Sequence, residues 1–142
     1  MKNYIYFNTR DELLRIDTSK IVYFEADGNY TNIFFENKTQ TQISLNLSQM
    51  QQLLSRYLNE RARIFARIGK RHIININYIF HIQVLRQNLT LSNGSTFSYN
   101  VSISKEALRQ LKDMIKAGTG SFNAISDIKA HSDDMKTQEM KR

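Results

Sequence analysis

Hydrophobic and polar residues alternate over most of the first hundred positions of this chain, which is the pattern of half-buried β-strands. The alternation predicts a meander of short strands over 4–9, 12–16, 21–26, 30–36 and 39–45. One of the intervening turns, Asp27-Gly28-Asn29, contains a glycine that can adopt a positive φ at little cost. The first part of the chain is therefore predicted to be antiparallel sheet.

Two segments depart from this alternation and show the spacing of an amphipathic helix. In the first, apolar residues recur at i, i+3, i+4, i+7 and i+8 from Met50, which predicts a helix over 48–59. Ser48 and Gln51 are predicted to cap it through an S-x-x-Q capping box. The second helix is predicted over 105–117, with Ser104 as its N-cap and Gly118 at its C-terminal stop.

Further strands are predicted between the two helices, over 64–67, from Ile73, and over 78–84. The dipeptide Asn93-Gly94 lies between alternating runs at 88–91 and 96–101, which predicts a β-hairpin. These elements predict a mostly β, α+β fold with two short helices, in one domain over 1–118. Residues 119–142 are rich in polar residues and are predicted to be a disordered C-terminal tail.

Composition narrows the class of protein. The 142 residues include no cysteine and no proline, so no disulfide framework is possible. No apolar run is long enough to cross a bilayer or to form a signal peptide, so a cytoplasmic location is expected. The formal net charge of +7 and the pI of about 9.7 favour a polyanionic partner.

Much of the positive charge falls in the segment 61–78, which has no acid and contains five cations: Arg61, Arg63, Arg67, Lys70 and Arg71. A solvated charged face explains such a run equally well. However, Gly69-Lys70-Arg71-His72 leads directly into the β-branched run 73–76, so these donors are predicted to lie on a rigidly held loop. A rigid basic loop is suited to recognition of phosphates or bases.

Other chemistries have little support. The histidines at positions 72, 81 and 131 lack ligand spacing, so neither a metal nor another cofactor is expected. Glu25 and Asp27 lie at a strand end, where paired carboxylates are usually solvated, so no catalytic residue or small-molecule substrate is predicted. Neither helix has the pattern of a basic membrane anchor, which makes anionic lipid a minor option.

No helix-turn-helix is visible, so loops rather than a recognition helix would read DNA. Three segments together resemble the LytTR DNA-binding domain of bacterial transcriptional regulators. The first is IVYFEADGNYT at 21–31, similar to E-A-x-x-N-Y-T, and the second is FARIGKRHIIN at 65–75, similar to F-x-R-I-H-R-S-Y-I-V-N. The third, 91–105 with Leu108 and Leu111, is similar to the family's last hairpin and V-S-R-x-x-L-x-x-L helix start. The match covers roughly 10–117.

This resemblance implies an elongated, mixed β-sheet fold whose loops enter successive major grooves of double-stranded DNA. Carried over residue by residue, it implies DNA contacts from Asn29, Thr31, Lys70 and Lys105. Lys70 stands where the family usually has arginine, so a bidentate guanine contact would become a point-charge contact. Arg71 could compensate and is included among the predicted contacts.

Two further residues, Arg67 and Asn75, also match motif positions and are candidate DNA contacts. Each has an equally good structural explanation. Arg67 could form an ion pair at a strand edge, and Asn75 could be a turn residue whose hydrogen bonds are satisfied.

The sequence therefore predicts a sequence-specific, stand-alone transcription factor that binds direct repeats with a second copy of itself. Because the motif starts within the first twenty residues, no receiver domain is expected. Control would then come from expression level, from a membrane-bound antagonist protein or from self-association on DNA. The alternative class is a non-enzymatic protein-interaction module with a basic surface and only non-specific affinity for nucleic acid.

Overall fold

The computed structural model describes residues 3–119, which form short strands and two helices. The strands are β1 (Tyr4–Asn8), β2 (Leu13–Asp17), β3 (Ile21–Asp27), β4 (Tyr30–Phe35), β5 (Gln40–Ile43), β6 (Phe65–Ile68), β7 (His72–Asn75), β8 (Ile79–Gln83), β9 (Asn88–Ser92) and β10 (Ser98–Ser102). The helices are α1 (Leu47–Leu58) and α2 (Lys105–Thr119), and short 3-10 helices span Thr18–Lys20, Asn59–Ile64 and Ile76–Tyr78.

The chain divides into two compact units, Met1–Gln110 and Leu111–Arg142. The strands, α1 and the start of α2 belong to the first unit. The tail predicted over 119–142 lies outside the described residues, except for Thr119 at the end of α2.

The strands of the first unit form three sheets. Five strands pair in the order β5-β4-β3-β7-β6, three in the order β10-β9-β8, and β1 pairs with β2. Every pairing is antiparallel, so none of these sheets is mixed. The prediction of a mostly β fold with two helices is confirmed.

One face of the five-stranded sheet is covered by α1. The helix buries Leu47, Met50, Leu54 and Leu58 in a cluster with sheet residues such as Phe24. Each such side chain contributes about 1.5–3 kcal/mol when it is removed from water. The β1–β2 hairpin adds Ile5 and Ile16 to the same cluster.

The opposite face of this sheet carries aromatic residues. Tyr23 and Phe34 stack with ring centroids 4.3 Å apart, and Tyr99 of β10 lies edge-on to Tyr23 at 5.4 Å. The Tyr99 hydroxyl also donates to the Phe35 carbonyl at 2.7 Å. Strand β3 is therefore buried on both faces.

The predicted hairpin at Asn93-Gly94 is confirmed, but its loop is longer than two residues. It spans the five positions between Ser92 and Ser98, which are paired strand residues. The Asn93 side-chain carbonyl accepts hydrogen bonds from the backbone N–H groups of Ser95 and Thr96 at 3.0 and 2.9 Å. This side chain closes the loop in place of a tight turn.

The ends of both helices differ from the prediction. Helix α1 is capped by Asn46 and Gln49, each of which bonds the backbone N–H of the other at 2.9 Å, so the prediction of Ser48 and Gln51 as the capping box is wrong. At α2, the Ser104 hydroxyl accepts from the Ala107 N–H at 3.2 Å, as predicted for an N-cap. The helix then runs through Gly118 to Thr119, so the predicted stop at Gly118 is also wrong.

The capping assignment can be tested by two alanine substitutions. We expect Asn46→Ala to lower the free energy of unfolding by about 1 kcal/mol, because the Gln49 N–H loses its acceptor. Ser48→Ala should change it by less than about 0.5 kcal/mol, since that hydroxyl bonds no backbone N–H of α1 and makes only a long contact, 3.4 Å, with the Arg67 guanidinium. Urea unfolding followed by circular dichroism measures both, and equal losses would contradict the assignment.

Candidate nucleic-acid interface

The first turn of interest, Gly28-Asn29, is a two-residue connection between β3 and β4, and the flanking residues Asp27 and Tyr30 pair directly. Gly28 has a φ of +62°, and Asn29 has no positive φ, which fits a type II′ hairpin turn. The Asn29 side chain is exposed at the tip of this turn. The structure therefore presents Asn29 to solvent on a short, well-defined connection.

The basic loop, Gly69-Lys70-Arg71, connects β6 to β7 and lies at the same end of the sheet. The Ala26 N–H donates to the Arg71 carbonyl at 2.8 Å, and the Arg71 side chain donates back to the Ala26 carbonyl at 3.2 Å. Arg71 thus ties the loop to β3, one residue before that strand ends. Gly69 has a φ of +61°, which a residue with a side chain would adopt only with strain. Lys70 is exposed.

Arg67 precedes this loop on β6 and joins it to α1. Its guanidinium donates to the Gln51 side-chain oxygen at 3.1 Å and to the Lys70 carbonyl at 3.1 Å, with a longer contact to the Ser48 hydroxyl at 3.4 Å. Its buried Nε has no partner among residues 3–119. Arg67 forms no ion pair with a described residue, so the predicted strand-edge ion pair is replaced by a clamp with neutral partners.

The start of α2 lies against the basic loop. A methyl group added to Gly69 would lie 3.7 Å from the Ala107 side chain. A cavity of about 190 Å³ is lined by the loop together with residues 102–104. Lys105 follows the N-cap Ser104 and is exposed. Exposed Lys70, Arg71 and Lys105 therefore belong to adjacent elements, where the helix N-terminus adds partial positive charge.

Two of the residues predicted to contact DNA, Thr31 and Asn75, are buried. Thr31 is 0% exposed, and its hydroxyl donates to the Leu45 carbonyl at 2.8 Å. Asn75 is 2% exposed, and its amide donates to the Ile21 carbonyl at 2.8 Å. Neither side chain has surface with which to touch DNA in this conformation. The structure favours the explanation that Asn75 is a turn residue whose hydrogen bonds are satisfied within the fold. The Thr31 hydroxyl likewise stabilises the fold through its bond to the Leu45 carbonyl.

A pair next to the basic loop, formed by buried His72 and half-buried Glu25, was not identified from the sequence. His72 Nε2 lies 3.0 Å from Glu25 Oε2, and the His72 side chain is 8% exposed. Burial lowers the pKa of His72 below its ordinary 6.5, and the hydrogen bond to Glu25 only partly opposes this. The neutral imidazole donates from Nε2 and so connects β7 to β3.

The acids at this end of the sheet bind separate partners. Asp27 accepts hydrogen bonds from the side-chain amides of Gln42 at 3.2 Å and Asn32 at 3.5 Å, whereas Glu25 binds His72. The two carboxylates therefore do not form an acid–base pair with each other. Within residues 3–119 no three histidine, aspartate or glutamate side chains cluster as metal ligands would.

The family model of the LytTr DNA-binding domain matches residues 11–116, which include both turns, the clamp and the start of α2. The chain belongs to the LytTR family. This LytTR chain is also similar to a solved structure, the LytTr DNA-binding domain of a Bacillus cereus protein described as a methyl-accepting/DNA response regulator. The TM-score is 0.54 at 20% identity, over 81% of this chain and 98% of the other, so the likeness supports the fold. No curated protein sequence matches the chain.

Membership of the LytTR family makes residues 11–116 a DNA-binding domain of the kind used in transcription regulation, with double-stranded DNA as its partner. LytTR is a DNA-binding family and not an enzyme family. Among the described residues, no helix is both long and apolar enough to cross a membrane.

The His72–Glu25 pair should make the stability of this LytTR domain depend on pH. Because the folded state lowers the pKa of His72, the unfolded chain binds more protons below pH 6.5. We therefore expect the free energy of unfolding to fall as pH is lowered from about 7 to about 5. Urea unfolding at a series of pH values measures this.

Two variants isolate the contribution of His72. His72→Phe should flatten this part of the pH profile, because it removes the buried titrating group. His81→Gln changes an exposed histidine and should leave the slope intact. An unchanged slope in His72→Phe would show that another group is responsible.

Substitutions of buried Thr31 and exposed Asn29 should have opposite effects on stability and DNA affinity. We expect Thr31→Val to lower the free energy of unfolding by about 1–2 kcal/mol, because the Leu45 carbonyl loses its donor. DNA affinity measured on the folded variant should be unchanged. Asn29→Ala should do the reverse, with unchanged thermal unfolding and weaker DNA binding. Weaker binding by folded Thr31→Val would restore Thr31 as a contact.

Proposed function

We propose that this LytTR domain is a sequence-specific transcriptional regulator that reads duplex DNA with the turn Gly28-Asn29, the basic loop and the start of α2. The observation that carries the proposal is the meeting of three exposed cations, Lys70, Arg71 and Lys105, at one place in the fold. The pairing of β3 with both β4 and β7 adds Asn29 at the same end of the sheet. Such a surface offers both charge and directional donors to DNA.

The residues divide by the contacts that their chemistry allows. The Asn29 amide can bond an adenine edge through both a donor and an acceptor, which discriminates among bases. Lys70 and Lys105 carry point charges that bind either a guanine edge or a phosphate. Arg71 already uses one Nη to bond the Ala26 carbonyl and keeps its other donors for DNA.

Arg67, Thr31 and Asn75 have supporting roles in this proposal. Arg67 bonds the carbonyl of Lys70 and so restrains the backbone from which the Lys70 side chain extends. Thr31 bonds the Leu45 carbonyl near the start of β4, whereas Asn75 bonds the Ile21 carbonyl at the opposite end of the sheet, so both stabilise the strands that carry the turns. The bond from Arg67 leaves the basic loop with less conformational freedom to lose when DNA binds, which favours affinity.

We further propose that two copies bind direct repeats, with their loops in successive major grooves. One domain of this size contacts too few base pairs to be selective in a genome, and a second copy multiplies the discrimination. Both copies would approach the same side of the duplex if the repeats lie about one helical turn apart. A membrane-bound antagonist stays a prediction that rests on the family resemblance.

The proposal is tested by removing the two lysines. We expect Lys70→Ala and Lys105→Ala each to weaken binding by about 1–3 kcal/mol where a base edge is read. Where the lysine contacts a phosphate, each change should instead reduce the salt slope by about one. The measurement is fluorescence anisotropy with the chain's own upstream promoter DNA and with random duplex, across a salt series.

Arg56→Ala is the matched control, because Arg56 is an exposed cation in the last turn of α1. It should leave affinity and preference nearly unchanged. Equal binding of promoter and random DNA that disappears with salt would contradict sequence-specific regulation. A protein-interaction module with a basic surface would then be the better explanation.

A further inference from the structure

A third turn, from Val84 to Gln87, connects β8 to β9 next to the start of α2. The Gln87 N–H donates to the Val84 carbonyl at 3.0 Å, which closes the turn. The Gln87 carbonyl in turn accepts from the Ile103 N–H at 3.1 Å, and Ile103 is only 5% exposed. The turn is therefore closed by one backbone hydrogen bond and joined to the segment before α2 by another.

This turn is continuous with the proposed DNA interface. Ile103 lines the same cavity as the basic loop, and Lys105 follows it by two residues. Register places Gln83, Asn88 and Ser102 side by side at this end of the three-stranded sheet. The turn therefore leaves the sheet where α2 begins, next to the segment that lines one cavity together with Lys70 and Arg71.

The tip of the turn, Leu85-Arg86, has no structural role that accounts for its residues. Leu85 is 79% exposed, which is more than any other large hydrophobic residue of the described chain. Arg86 is exposed, and no described residue forms an ion pair or side-chain hydrogen bond with it. This turn therefore presents an apolar side chain and an unpaired guanidinium beside the segment that leads into α2.

We propose that Leu85-Arg86 is a further DNA-contacting element, in which Arg86 binds a backbone phosphate and Leu85 packs against the neighbouring sugar. This inference rests on the proposed function, because it extends the same surface. Phosphates are the favoured partner because most contacts outside the base-reading elements are made to the DNA backbone. A guanidinium with free donors can bind a phosphate in bidentate fashion. Contacts of this kind fix the orientation of the domain on the duplex.

The loss-of-contact test compares two arginines. Arg86→Gln should reduce the slope of log K against log salt by about 0.9 on both promoter and random duplex, as expected for one phosphate contact. Between 50 and 200 mM salt, the affinity ratio of parent to variant should then fall by roughly 3-fold. Arg56→Gln removes the same charge in the last turn of α1 and should change the slope much less.

The gain-of-contact test cannot be explained by misfolding. Leu85→Lys adds a cation at the tip of the turn, and we expect it to steepen the salt slope and to tighten binding at low salt. Tyr57→Lys is the control, because Tyr57 is 57% exposed near the end of α1. It adds the same charge away from the proposed surface and should have a much smaller effect.

The outcomes distinguish this inference from the function on which it rests. If Arg86→Gln and Leu85→Lys behave like their controls while Lys70→Ala weakens binding, the third turn is not a DNA contact and the proposed function stands. If the parent shows no preference for promoter DNA at any salt concentration, the proposed function fails. A change of salt slope confined to the Leu85 and Arg86 variants would still support the turn as a phosphate contact.

Discussion

The pairing of β3 with β4 on one side and β7 on the other determines where the polar residues of this domain lie. Because β4 and β7 both run antiparallel to β3, each begins beside the C-terminal end of β3. The β3–β4 turn and the β6–β7 loop therefore lie at the same end of the sheet. The two faces have different partners, which fixes the register, because a one-residue slip would exchange the aromatic environment of Tyr23 and the α1-covered environment of Phe24. The arrangement of exposed cations is therefore a consequence of core packing.

The LytTR motif combines residues of two physical kinds. Asn29 and Lys70 extend into solvent from turns, whereas Thr31 and Asn75 are buried and bond backbone carbonyls. A motif includes both kinds, because the exposed residues of a turn keep their positions only when the strands that carry the turn are stable. The sequence alone could not separate them, since alternation indicates which residues share a face but not which face becomes covered by α1 or by β10.

Local patterns predicted the strands, the hairpin and α1, and failed where two local solutions compete. Asn46-x-x-Gln49 and Ser48-x-x-Gln51 both fit a capping box, and the structure uses the first, which makes Leu47 the first helical residue and leaves it 3% exposed. The Arg67 clamp and the His72–Glu25 pair join residues far apart in sequence. No periodicity predicts such contacts, because they depend on the packing of whole elements.

The clamp also affects the electrostatics of the basic loop. A carboxylate partner would hold Arg67 in place but would cancel its charge close to the basic loop. Its actual partners, the oxygens of Gln51, Ser48 and Lys70, are neutral, so the guanidinium is restrained while its charge still adds to the local positive potential. Restraint by neutral acceptors therefore lets one residue support both the geometry of the basic loop and its attraction for phosphates.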